Sequence, residues 1–369
     1  MSKGCALLEA RNLQVTRGGA LLLDVPELSI REGETLSLIG PNGAGKTTLL
    51  QTLGHLLKPF QGEILFKGQK LSGRSVFEYR RRLAMVFQEP LLFDTTVFGN
   101  VASGLTMRGM KRGEIRNVVT EHLNRLGISH LKDRSARTLS GGEAQRTSLA
   151  RAFAIAPEIL FLDEPFASLD PPSRGALIED LERILEQTGT TTVFATHDRL
   201  EALRLSDRIA VMSQGRILQL DSPEEVMNHP VDEFVASFIG VETILSGKVS
   251  RRNGGTIVVS VHGREIEAVG DLPLGEPVAL CIRPENVTLT TNPSRELTSA
   301  RNVFPGRIAR ITSLGLFRKV ELDCGFPLVA YVTHHAAEEL SLKEGKEVRA
   351  SFKATAIHVV RRGEKGYPN

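Results

Sequence analysis

No stretch of this sequence approaches the run of about 18 apolar residues that a membrane-crossing helix requires, so the chain is expected to enter no bilayer by itself. An excess of one charge is missing too: 46 Lys and Arg stand against 43 Asp and Glu, a formal net charge of +3. Such a balance creates no field that would recommend nucleic acid as a partner. Cysteine is scarce. The three present, Cys5, Cys281 and Cys324, form neither a disulfide framework nor a metal-ligand spacing, which points to structural use in a reducing cytoplasm. The opening residues Met1–Ala6 lack the basic region and apolar run of a secretory signal. Aromatic residues amount to only 5%, yet 41% hydrophobic and 24% charged content describes a folded globular chain with ample core. Its length is that of two or three domains.

What is present is a change of texture along the chain. Up to about residue 225, short apolar runs alternate with helical patterns, the arrangement of an α/β domain on a mainly parallel sheet. Candidate strands are Leu36–Ile39, Leu83–Phe87, Ile159–Leu162, Thr192–Ala195 and Ile209–Met212. Between the second and third lies an insert, about 92–139, with Ile115, Val118, Val119, Leu123 and Leu126 at helical spacing. It predicts a small helical subdomain. Past Pro223 a helical stretch closes at Gly240, and short alternating runs with Gly-rich turns follow, the pattern of small β-barrels. The expected division is 1–240, then β modules at 241–291 and 297–362, each small enough to need a neighbour. The tail from Gly363 is expected to be loose.

Gly40-Pro41-Asn42-Gly43-Ala44-Gly45-Lys46-Thr47 fits the GxxxxGK[ST] phosphate loop and stands between an apolar strand and a helical pattern opening at Thr48. Glycines let successive amides converge on phosphate oxygens, and a helix N-terminus adds partial positive charge. In that pattern Lys46 reaches the β- and γ-phosphates and Thr47 ligates Mg²⁺. Phosphoryl transfer also needs a carboxylate near the metal and a group that polarises water. Ile159–Leu162 ends in Asp163 and Glu164, which supply both, Asp163 on the metal side and Glu164 as base.

With Leu139-Ser140-Gly141-Gly142-Glu143 lying between loop and acids, the order resembles that of ABC-type ATPases. Gln88 matches the Q-loop glutamine, Ser168-Leu169-Asp170 the D-loop, and His197 the switch histidine. The resemblance implies a P-loop ABC-type ATPase domain with a helical subdomain, binding ATP and Mg²⁺ in a head-to-tail homodimer. Each ATP then lies between one phosphate loop and Ser140, Gly141 and Gly142 of the other copy. It implies that Gln88 senses Mg²⁺, that His197 meets the γ-phosphate, and that membrane subunits dock near the helical insert. Two positions depart from the family pattern. Arg17 occupies the slot of the aromatic residue that stacks on adenine, and Glu143 replaces a commoner Gln; a guanidinium can stack and a carboxylate can accept from ribose.

The segment Asp232–Gly240 is similar to the link between ATPase and regulatory β-barrels in importers of the maltose, sulfate and molybdate type, and Ile282–Val287 resembles their TOBE domain. Ser299-Ala300-Arg301-Asn302 and Lys353-Ala354-Thr355 resemble the molybdate-binding Mop version of that OB-like, all-β module. Ser299, Arg301, Asn302, Lys353 and Thr355 are donors of the kind a tetrahedral dianion needs. The resemblance thus implies the ATPase of a molybdate or tungstate importer, peripheral on the cytoplasmic face of the membrane. Two transmembrane permease subunits would be its partners, an extracytoplasmic solute-binding protein an indirect one, and nucleic acid none. A second reading keeps the importer ATPase and assigns sugar, sulfate or another solute. A third is an oxyanion-sensing protein with little turnover, and a fourth a non-transport ATPase acting on DNA or ribosomes.

Overall fold

In the computed structural model residues 6–291 and 299–362 are described. Cys5 and the tail from Gly363, about which the sequence raised expectations, lie outside them. The chain divides at Pro223/Glu224, earlier than the boundary expected at 240, so that the stretch leading to Gly240 belongs to the second unit.

All five expected strands meet in one six-stranded sheet of the first unit. Across it run Arg216–Asp221, Arg208–Ser213, Thr35–Ile39, Thr191–Thr196, Ile159–Asp163 and Leu83–Val86. The last five are mutually parallel and the first is antiparallel to its neighbour. Thr35–Ile39, Ile159–Asp163 and Thr191–Thr196 are buried along their whole length. Burial on both faces is why they read as unbroken apolar runs rather than alternating ones. Their carboxyl ends share one edge, and there the chain turns into Gly40, Glu164 and His197 in turn.

A second sheet, not indicated by the apolar runs, is antiparallel and ordered Ala20–Arg31, Ala6–Arg17, Gln61–Phe66, Gln69–Lys70. Its buried Leu13, Val25 and Ile30 join Leu38, Leu49 and Ala195 in one apolar cluster, which seats the phosphate-loop helix Lys46–Leu53 from beneath. The helical insert holds helices Val97–Met107 and Arg112–Arg125, with Ile115, Val119 and Leu123 buried as their spacing predicts. It does not stop at residue 139: helix Gly141–Ala154 packs on both and shares their core through Leu149 and Phe153.

The second unit contains two five-stranded antiparallel sheets. One is ordered Arg264–Val269, Thr256–Val261, Thr243–Asn253, Pro277–Ile282, Ile357–Arg361; the other Thr288–Thr290, Glu347–Phe352, Asn302–Leu314, Phe317–Asp323, Pro327–Thr333. They do not follow the expected modules 241–291 and 297–362. Strand Ile357–Arg361 closes the first sheet beside Pro277–Ile282, and Thr288–Thr290 closes the second beside Glu347–Phe352. Each module therefore lends the other an edge strand, and one apolar core runs through both. Units this small cannot bury enough surface separately, which is the physical reason for sharing.

Cys281 and Cys324 are buried in this shared structure, and burial pushes their thiols up to about 12 and about 11. The thiolate is the reactive form. At pH 8 neither cysteine of the native protein is expected to react with a maleimide, and both react in guanidinium; peptide mapping by mass spectrometry reads the difference. Native labelling of either one contradicts the shared core.

Candidate nucleotide-hydrolysis site

The phosphate loop is shaped by what its glycines avoid. A Cβ on Gly40 would stand 2.3 Å from the Met212 carbonyl oxygen and 3.1 Å from Ala44 Cβ, so the strand can leave the sheet here only without a side chain. Gly45 caps the helix at φ 100, a left-handed conformation, and offers no side-chain cap. The amides of Gly43, Gly45, Lys46 and Thr47 meet no acceptor among the described residues, the unsatisfied donors that bind an anion at a helix start. Lys46 Nζ donates to the carbonyls of Gly40 at 2.8 Å and Pro41 at 3.1 Å and lies 3.8 Å from Glu164 Oε1. Lys46 is 5% exposed, and burial lowers its pKa against the pull of Glu164 and Asp163.

The two acids take different postures. Asp163, the last residue of its strand and 5% exposed, accepts from Thr47 Oγ1 at 2.9 Å. Burial raises its pKa, and the Thr47 hydrogen bond opposes the rise. Two hard oxygens this close, one of them a buried carboxylate, suit a small divalent cation. Glu164 is in the left-handed region at φ 46, held by its amide donating to Ala195 O at 2.9 Å. That backbone turn aims its carboxylate between Lys46 and His197, whose Nδ1 is 3.0 Å from Glu164 Oε2. Thr47–Asp163 and Lys46–Glu164–His197 are thus two bonded groups, brought into one cluster by the adjacency of Lys46 to Thr47 and of Asp163 to Glu164.

Other expected residues stand apart from it. Gln88 is exposed, two residues beyond strand Leu83–Val86, and Thr48 lies within the first turn of the loop helix. Arg17 is exposed beside the Gly18-Gly19 turn, facing Ala20 across the hairpin. Ser140 caps helix Gly141–Ala154 in a capping box: its oxygen accepts from Glu143 N at 3.3 Å, while Glu143 Oε2 accepts from Ser140 N at 2.7 Å. Glu143 Oε1 accepts from Arg134 at 3.2 Å, so both oxygens expected to serve ribose are engaged within the chain. Among the described residues no hydrogen bond or ion pair joins Ser140–Glu143 to the cluster.

The five oxyanion candidates, all in the second unit, are divided. Asn302 is 2% exposed and its amide exchanges two hydrogen bonds of 2.8 Å with the backbone of Glu267, a structural clamp between the two sheets. Asn302 pairs with Phe352, so exposed Arg301 and Lys353 flank that pair, with Ser299 nearby in sequence. Thr355 instead lines a separate cavity of about 280 Å³ with Arg283, Asn286, His229 and His358.

Sequence reasoning passed over the groups beneath His197. Thr196 Oγ1 bonds Glu201, and Asp198 takes Arg174 Nη1 at 3.2 Å. Only the position of Asp198 beside the histidine could have drawn attention to them. For the loop itself, Gly40→Ala is expected to cost about 1–3 kcal/mol, the usual penalty of overpacking. ATP binding should weaken about tenfold or more, since backing Gly40 away from Met212 also shifts the Gly40 and Pro41 carbonyls that hold Lys46. Denaturant melts and calorimetric titration check both, and unchanged affinity contradicts the close approach.

Comparison with known proteins agrees with the geometry. The ABC transporter family profile matches residues 23–167 and the TOBE domain profile residues 298–359. Over 338 residues the chain is 40% identical to the molybdate/tungstate import ATP-binding protein WtpC of Pyrococcus horikoshii, covering 89% of this chain and 93% of that one. It is 35% identical over 339 residues to the spermidine/putrescine import ATP-binding protein PotA of Ruegeria pomeroyi, covering 91% and 90%. Of solved structures, cbiO1 from Clostridium perfringens, part of the ABC transporter complex cbiONQ, is similar with TM-score 0.57 and 31% identity over 64% of this chain and 95% of that one. The ATP-binding cassette MJ0796, a dimer in a post-hydrolysis state with ADP and Pi, gives TM-score 0.54 and 29% identity over 58% and 98%. A phosphate loop, a strand-end acid pair and a facing histidine on this fold, with relatives matched almost end to end, place the chain in the family of ATP-hydrolysing subunits of ABC import systems.

Proposed function

We propose that two copies of this chain drive import of a molybdate- or tungstate-type oxyanion, working peripherally on the cytoplasmic face of the cell membrane under two permease subunits fed by an extracytoplasmic solute-binding protein. The observation carrying the cargo is the 40% identity to WtpC over nearly its whole length, with PotA relatives at 35–38% close behind. The PotA likeness favours a second reading, polyamine import. Exposed Leu91 and Phe93, just past Gln88, support docking of permease helices there. No helix among the described residues is long and apolar enough to cross a membrane, in keeping with separate permeases.

In this reading the free loop amides and Lys46 bind the β- and γ-phosphates, Lys46 exchanging the carbonyls of Gly40 and Pro41 for phosphate oxygens. Thr47, Asp163 and Gln88 would hold Mg²⁺, and the Thr47–Asp163 pair fits it. When bound, that ion neutralises charge on the phosphates. Glu164 accepts the proton of the attacking water while His197 Nδ1 fixes its other oxygen, and His197 Nε2 is left to face the γ-phosphate. Ser140, Gly141 and Gly142 of the second copy close the site, which their separation from the cluster within one chain and the dimeric state of MJ0796 support. Arg17 lies on the hairpin whose Leu22 and Leu23 border Gly45, within the layer where adenine would stack.

The C-terminal unit is proposed to restrain import when internal oxyanion is high, through reciprocal coupling. Its support is the side chains of Arg301 and Lys353, which make no hydrogen bond or ion pair among the described residues, with Ser299 nearby in sequence and Thr355 in its separate cavity. Calorimetry with molybdate at micromolar concentration tests this part, and absence of heat removes it. For cargo, cells lacking the chain are expected to lose labelled molybdate or tungstate uptake and keep spermidine uptake; the opposite result selects polyamines. Glu164→Gln is expected to lower turnover about 100-fold or more with ATP affinity kept within threefold. Phosphate release and equilibrium titration measure the two, and retained turnover overturns the assignment of the base.

A further inference from the structure

We propose that Arg174 is a positioning residue for ATP hydrolysis, clamping through Asp198 and Glu201 the backbone on both sides of His197; this rests on the reading above, in which His197 orients Glu164. His197 is 52% exposed in its side chain and follows the last residue of strand Thr191–Thr196, and the one contact of its ring is Nδ1 to Glu164 Oε2 at 3.0 Å among the described residues. The residues on either side are fixed instead. Thr196, 2% exposed, donates its hydroxyl hydrogen to Glu201 Oε2, and the same hydroxyl oxygen accepts from Asp198 N at 3.0 Å. Asp198 does two things at once. Its Oδ1 caps helix Arg199–Leu205 by accepting from Leu200 N at 2.8 Å and Glu201 N at 3.4 Å, and its Oδ2 accepts from Arg174 Nη1 at 3.2 Å.

Arg174 is the cation on which these acids converge. Its Nε lies 3.8 Å from Oε1 of Glu201, a carboxylate only 5% exposed. Burial is what raises the Glu201 pKa; the Thr196 hydrogen bond opposes it most, Asp198 adds to the rise, and Arg174 and His197 pull it back further. Arg174 sits near the start of helix Pro171–Thr188, the positive end of the helix dipole, where a cation gains nothing from its own helix. Its stabilisation therefore comes from Asp198 and Glu201. Removing it leaves one buried and one half-buried carboxylate facing each other without a counter-charge, and the peptide that carries His197 is the part free to move. The expected loss is in orientation of the histidine against Glu164, not in the phosphate cradle, to which Arg174 makes no contact among the described residues.

The full-length chain is the material for the test. Arg174→Ala should lower kcat about tenfold or more while KM for ATP stays within twofold, because a misplaced group costs rate rather than ground-state binding. Arg174→Lys, which keeps one charge within reach of Asp198, should recover at least a third of the lost kcat, and Arg174→Gln should not. A kcat for the alanine variant within twofold of the parent overturns the proposal. So does a parallel change in kcat and KM, or a lysine variant no better than glutamine. Should the alanine variant fail to fold, the lysine–glutamine comparison decides alone. A Glu164→Gln variant assayed alongside separates the two levels: if it keeps parental turnover, the reading of the site fails; if it is inactive while Arg174→Ala is active, only the clamp fails.

Discussion

Three charges held out of water at one sheet edge set the terms for the rest of this molecule. Lys46 and Asp163 are each 5% exposed, and burial works against both ionised forms, lowering the pKa of one and raising that of the other. Glu164, 3.8 Å from the ammonium, completes the group. Charges of this kind are tolerated only together, since taking away one partner leaves the other buried and uncompensated. The parallel sheet is what makes the grouping possible: adjacent strands end side by side about 4.8 Å apart, so residues remote in sequence arrive at one place. Thr35–Ile39 delivers Lys46 by way of the loop, Ile159–Asp163 delivers the acids, and Thr191–Thr196 delivers the histidine.

Delivery alone does not aim a side chain, and the site uses backbone strain for that. Glu164 at φ 46 is a non-glycine residue in the left-handed region, which costs on the order of 1–3 kcal/mol. The cost is offset by the bond of its amide to Ala195 O and by placement of one carboxylate oxygen near Lys46 and the other near His197. An extended conformation would have continued the strand and sent the side chain to one face of the sheet. The turn is therefore the local feature that converts an acid at the end of a strand into one that faces the phosphate loop.

How much of this was legible in the sequence follows the same physics. Strands buried on both faces leave unbroken apolar runs, so all five were found, and the phosphate loop and acid pair were found because each follows such a run. The antiparallel sheet of Ala6–Arg17 and Ala20–Arg31 was not, since Glu9, Arg11, Asp24 and Glu27 break its apolar residues into short pieces. Nor was the exchange of strands in the second unit, because a strand looks the same whichever sheet it joins. Asn302 was taken for an anion donor by its resemblance, whereas its burial and two backbone hydrogen bonds make it a clamp. Arg174 left no trace at all: it meets Asp198 across 24 positions, and no local spacing announces such a pair.

The capping box at Ser140 shows what Glu143 does within its own chain where glutamine is commoner. Its Oε2 satisfies the Ser140 amide, the reciprocal half of the capping box. Its Oε1 meets Arg134, an ion pair whose arginine is 44% exposed, and such a surface pair contributes only about 0–1 kcal/mol. The box also lowers the pKa of Glu143, the Ser140 amide being the larger cause, so the carboxylate accepts hydrogen bonds and donates none. Of the two oxygens, Oε1 is the one held only by the more weakly stabilising contact, to Arg134. A glutamine here would have to place its single carbonyl oxygen on one partner or the other. The carboxylate holds the helix start with one oxygen and meets Arg134 with the other, so replacing the commoner glutamine leaves this helix start capped.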